Sequence, residues 1–144
     1  WTDAESFTHR SGKLGGIGAI TKRTPRLGVL TNEATLRVGN PFGTLQLKLF
    51  NFTQSASGEM VVGLAAEGAG LLELASNGAR ATLGGALRVE LAAGFVPEIG
   101  QTFDIITASN RTGEFANVVL PDLGPGKRLS VTYSNTKVTL TVTP

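Results

Sequence analysis

This 144-residue chain has no cysteine, and only one each of histidine, methionine, tryptophan and tyrosine. Without cysteine there is no disulfide, no thiolate metal site and no cysteine nucleophile. A lone histidine, His9, cannot build a zinc site without a carboxylate cluster around it, and a Ser-His-Asp triad would want a Gly-x-Ser-x-Gly elbow that is not there. Beside Arg10 near the start of the chain, His9 is expected in solvent. No stretch of eighteen apolar residues occurs, so no transmembrane helix is expected. No basic segment leads into an apolar one at the start, and a chain opening on Trp1 is expected of a mature product or an excised fragment.

What the chain has is glycine, nineteen residues of it, with abundant threonine, valine and leucine. Mean hydropathy is slightly positive at +0.11, which argues against intrinsic disorder. The length suits one domain with a real core. Strict alternation runs through Leu87, Val89 and Leu91, through Leu129, Val131 and Tyr133, and through Val138, Leu140 and Val142. That period of two marks half-buried strands, because successive side chains leave opposite faces of the pleat. Shorter pieces over 13–21, 27–30, 34–38, 44–52 and 59–64 are separated by Gly, Asn or Pro turns. Residues 60–74 approach helical composition, but glycines at 63, 68 and 70 each cost about 1 kcal/mol in a helix, so strands and turns are expected there too.

Strand centres recur at a spacing that suits a sandwich, a barrel or a solenoid. The loose recurrence of apolar-x-apolar followed by Gly or Asn favours stacked solenoid coils, each resting its apolar face on a neighbour. Ser134-Asn135-Thr136-Lys137 between two alternating runs reads as a hairpin turn, and an antiparallel hairpin at the end of a solenoid would cap its last coil. The expected architecture is therefore all-β: short parallel β-helix coils over about 7–75, then a β-rich capping module over about 76–144. Leu87, Val89, Leu91, Phe103, Ile105, Phe115, Leu129, Val131, Leu140 and Val142 are its expected inward residues.

Charge is nearly balanced, at +2, but unevenly placed. Residues 1–48 hold seven basic and three acidic side chains, and the rest holds six basic and eight acidic. The cluster Lys22, Arg23 and Arg26 is the candidate assembly or anion contact. No nucleic-acid partner is expected, since neither a recognised motif nor aromatic stacking platforms accompany the cluster. The glycine run 12–18 lacks the Gly-Lys-Ser/Thr ending and following helix of a phosphate loop. The Asn-x-Thr sequences at Asn51 and Asn110 are read as chance. The acids Glu59, Glu67, Glu73, Glu90, Glu98, Asp104, Glu114 and Asp122 are scattered singly rather than paired for polysaccharide cleavage. Trp1, Phe7 and Phe42 are the aromatics available for stacking on a sugar. No catalytic residue, metal or cofactor is assigned.

Asn40-Pro41-Phe42-Gly43-Thr44-Leu45, Asn51-Phe52-Thr53-Gln54-Ser55-Ala56-Ser57-Gly58, Gly94-Phe95-Val96-Pro97, Gly100-Gln101-Thr102-Phe103 and Gly113-Glu114-Phe115 occur in this order. The order resembles the C-terminal segment of large secreted bacterial surface proteins of the filamentous-haemagglutinin-like and autotransporter-passenger-like kind, over about residues 14–142. The resemblance implies a right-handed parallel β-helix ending in a β-rich cap, displayed extracellularly or on the cell surface, with an adhesive or structural role and no catalysis. Two features depart from it: Ala69 to Leu74 lacks the Asp-containing turn, and the 144 residues include neither a translocator barrel nor a membrane anchor.

The leading expectation is a non-enzymatic extracellular scaffold that either is the terminal solenoid and cap of a longer parent chain or self-associates into a filament. A carbohydrate-binding adhesin module engaging a surface glycan is the alternative, and a polysaccharide-active enzyme stands third. The fold expectation is checked by far-UV circular dichroism, which should be strand-dominated with under about a tenth helix; a helix-dominated spectrum would contradict it.

Overall fold

The structure, a computed structural model, describes residues 6–22, 26–39 and 42–144. Every regular element in them is a strand. The chain winds as a β-solenoid whose coils each lay one strand on each of three walls. The first wall stacks β1 (Ser6–His9), β4 (Gly28–Asn32), β7 (Phe50–Gln54), β10 (Arg80–Leu83) and β13 (Asn110–Gly113). The second stacks β2 (Lys13–Gly16), β5 (Thr35–Val38), β8 (Glu59–Ala65), β11 (Ala86–Leu91) and β14 (Asn117–Val119). The third stacks β3 (Gly18–Thr21), β6 (Gly43–Lys48), β9 (Gly68–Leu74) and β12 (Thr102–Thr107). All these wall pairings are parallel. The third wall is then finished by a hairpin, β15 (Arg128–Tyr133) and β16 (Lys137–Thr143), with β16 antiparallel to β12.

Parallel, in-register stacking turns alternation within strands into columns between coils. Phe7, Leu30, Phe52 and Ala81 stand at one position of the first wall. Leu14, Leu36, Met60 and Leu87 do so on the second, and Ile20, Leu47 and Leu74 on the third. Where these columns lie between coils, their members are almost completely buried. Burying a side chain such as Phe52 contributes on the order of 2–3 kcal/mol. Outward positions form columns as well: Thr8, Thr31, Thr53, Thr82 and Thr112 share one line on the first wall.

A polar ladder occupies the corner between the first and second walls. His9, Asn32 and Gln54 end successive strands of the first wall. Each reaches forward to a backbone carbonyl that opens a second-wall strand one coil on. His9 Nε2 donates to Thr35 O at 3.1 Å, Asn32 Nδ2 to Glu59 O at 3.1 Å, and Gln54 Nε2 to Ala86 O at 2.9 Å. Asn32 Nδ2 also donates to Gln54 Oε1, and Gln54 Nε2 to Gly84 O. His9 is thus half-buried and bonded, not in open solvent as the sequence suggests, because the corner supplies an acceptor that its neighbours in sequence do not reveal. Gly85, φ +62°, turns the next coil beside this ladder, and a Cβ there would overlap the carbonyl oxygen of Gly58.

The parallel coils continue through β14, well past the boundary expected near residue 75. Alternation has the same period in a parallel rung and in a hairpin, so it does not mark where one gives way to the other. All ten residues expected to face inward are buried, except Leu91 and Val131, which are partly so. Gln54→Ala would remove one of the two acceptors of the Asn32 amide, leaving it only Glu59 O, and would leave the half-buried carbonyls of Gly84 and Ala86 without their side-chain donor. It should cost about 3 kcal/mol or more in urea unfolding, while Thr53→Ala on the outer face should stay within about 0.5 kcal/mol. Equal costs would contradict the ladder.

Candidate functional site at the two ends of the solenoid

The two ends of the stack are built differently. At the N-terminal end, β1, β2 and β3 each pair on one side only among the described residues. The core columns stop there half-covered: Phe7 is 38% exposed, and Leu14 and Ile20 are only partly buried, whereas Leu30, Leu36 and Leu47 behind them are at 1%. Ile17, at the corner of the same coil, is 66% exposed. This is an apolar face ringed by strand edges, the geometry on which another coil rests.

At the C-terminal end the column of the first wall finishes on a charge. Arg111 takes the place in register below Ala81. Its guanidinium lies 5.0 Å from the ring centre of Tyr133, and its Nε donates to Ser134 O at 2.6 Å and its Nη1 to Gly113 O. The Tyr133 hydroxyl accepts from Phe115 N at 3.4 Å. Phe115, Leu123 and Leu129 are buried beneath this lid. Ser134 holds the hairpin turn, its N donating to Lys137 O at 2.9 Å and its Oγ accepting from Lys137 N at 3.1 Å. With β15 beyond β16, the third wall is one strand longer than the other two. The second wall ends in the three-residue β14, which carries the exposed Val118 and Val119.

Two of the three residues of the basic cluster fall within the described residues. Lys22 is buried, 1% exposed, with Nζ donating to Arg26 O at 3.0 Å. Arg26 is exposed, and Arg23 lies outside the described residues, as do Trp1, Asn40 and Pro41. Four of the acids are engaged singly with side chains of other strands. Arg37 grips Glu90 at 3.1 Å, Arg88 pairs with Glu59 at 3.4 Å, Asp104 with Lys137 at 3.4 Å, and Gln46 donates to Glu73 at 2.8 Å. Among the described residues no three His, Asp or Glu side chains gather as a metal site. None of the helix-sized, apolar spans that cross membranes is present among them either. Asn51 accepts from Arg80 N at 2.7 Å through its side chain, a structural use.

The polar corner ladder escaped sequence reasoning. Its signal was a polar residue closing each first-wall strand, but His, Asn and Gln share no obvious motif.

No protein-family model and no curated protein matches this chain in sequence.

Tyr133 offers a probe of the closed end. Burial pushes its phenol above the usual tyrosine value of 10.0; the Phe115 N–H opposes this, Glu114 adds to it, and Arg111 opposes it. Raised in the folded state, the group contributes stability that is whole below about pH 10 and lost as pH rises through the folded value. As the only tyrosine, it can be titrated alone by phenolate absorbance. The midpoint should lie above 10.0 in the folded chain, and Tyr133→Phe should flatten the alkaline loss of stability. A midpoint at or below that value would show the lid to be open.

Proposed function

We propose that this chain is a non-enzymatic scaffold: the closing segment of a β-solenoid, sealed at its C-terminal end and extended at its N-terminal end by further coils, from a longer parent chain or another subunit. The observation that carries this is the asymmetry of the ends. One has half-covered apolar columns, with Phe7 exposed and Leu14 and Ile20 only partly buried. The last strands of both ends, β1, β2 and β3 here and β13, β14 and β15 there, pair on one side only among the described residues, so the difference lies in how the core is covered. The other end has an arginine below the last column packed on Tyr133, buried Phe115, Leu123 and Leu129, and a hairpin across the third wall. A coil buries its apolar face only against a neighbour, so the open end calls for one. Extracellular display on a bacterial surface is part of the same reading, and it is supported by the order of the glycine, asparagine and phenylalanine motifs.

The asymmetry also bears on self-assembly. A head-to-tail filament needs the open end to seat on the closed end. The closed end is stepped, since β15 stands one strand beyond β13 and β14. Three level edges cannot all pair with it at once. Two open ends can meet, and that contact closes as a dimer instead of propagating.

Sedimentation across protein concentration tests this. The chain should form dimers and nothing longer, and Phe7→Asp should weaken dimerisation about tenfold or more by placing a charge in the apolar face. The Tyr133 titration should be unchanged in that variant. Growth into long polymers would contradict a sealed C-terminal end. A monomer at every concentration would contradict an open end that needs cover.

A further inference from the structure

The corner between the second and third walls carries exposed apolar side chains from several coils. Ile17 stands there in the first coil and Phe42 in the second, with Val96 on the longer connection of the fourth. Between the second and fourth coils lies an open groove of about 360 Å³. Phe42 lines it from the second coil and Phe95 from the fourth, and the alanines 65, 66, 92 and 93 line the space with them. Glu67, in the tight turn between β8 and β9, is the one ionisable side chain lining it among the described residues.

The fourth-coil wall is held in place. Phe95 packs edge-on against Phe103, with ring centres 6.2 Å apart. Its connection is tied down by Phe95 N to Ala92 O at 3.1 Å, Gly100 N to Val142 O at 2.9 Å, and Lys127 Nζ to Pro97 O at 2.9 Å. A preformed groove loses little entropy on binding. Its two aromatic side chains come from coils two rungs apart, roughly 10 Å along the stack. That step is close to the disaccharide repeat of an extended β-linked glycan.

We propose that this groove binds a neutral, extended, β-linked oligosaccharide, with Phe42 and Phe95 stacking on the apolar faces of alternate sugar rings and Glu67 accepting from hydroxyls. Methyl-lined space between aromatics, with a single convergent acceptor, suits a ligand that is apolar on its ring faces and donor-rich at its edges. The carboxylate disfavours uronates and sulfated sugars. An extended peptide is a poorer fit: the second-wall strands that border the groove, β5, β8 and β11, are paired on both sides, which leaves no edge for main-chain bonding. The site is independent of how the ends of the stack are used.

The test is a solution NMR titration of the 144-residue chain with cellotetraose, chitotetraose, tetragalacturonate and an apolar peptide. At least one neutral tetrasaccharide should shift the amide signals of Ala66, Ala93 and Gly94 saturably below about 10 mM. Phe42→Ala should weaken it about tenfold, and Glu67→Gln should weaken it and admit tetragalacturonate. Both residues are exposed, so melting temperatures should not change. No saturable shift with either neutral sugar, shifts on another face, an unaltered affinity in Phe42→Ala, or preference for the peptide or the uronate would each overturn the proposal.

Discussion

Everything in this molecule depends on each coil lying in register on the next. A single coil encloses too little apolar surface to offset the entropy of ordering it. Stacked in parallel, one strand's Leu30 becomes the floor for Phe52 and the roof for Phe7, and the same exchange holds on all three walls. A slip of one residue would turn every column outward. The ladder of His9, Asn32 and Gln54 guards against that slip, because each side chain reaches a particular carbonyl in the following coil. Left unmade in a buried corner, those bonds would cost more than they contribute when made.

The outer surface is free of this constraint, so it differs from wall to wall. The first wall shows its line of threonines. The second shows ion pairs that cross coils, Arg37 reaching Glu90 in the coil after next over the small Gly63 and burying the outward Val61. Exposed pairs of this kind contribute little energy each, and they act more to sheathe the wall. The corner joining the second and third walls exposes Ile17, Phe42 and Val96, and it carries the groove. A scaffold built on internal repetition can hold one recognition site there without disturbing the core.

Much of the fold was legible in the sequence. Alternation identified β11, β15 and β16 and the direction each face points, and Ser134 to Lys137 marked the hairpin turn. Two runs expected to be continuous are each two strands. Residues 13–21 break at Ile17, between Gly16 and Gly18, both at positive φ, and residues 44–52 break at Leu49, φ 65°, whose amide is held by Ser76 Oγ at 2.8 Å. The second break depends on a serine in the next coil, so nothing local to the run announces it. Register, the length of the stack, the buried placement of Lys22 and the bonded state of His9 are all non-local in the same way. The groove falls between these cases. Phe42 stood out as an aromatic in a turn, but Phe95 reads as core from sequence, and only the winding brings the two to one corner.

The stacking itself is tested most directly by nuclear Overhauser contacts in the folded chain. Parallel rungs in this register require contacts linking Leu30 to Phe52 and Phe52 to Ala81, without close Cα-proton pairs between β4 and β7. The antiparallel closure requires contacts pairing β12 with β16 around Phe103 and Leu140. Observing both sets would confirm a solenoid sealed by a hairpin. Close Cα-proton pairs between β4 and β7, the mark of an antiparallel sandwich, would contradict it.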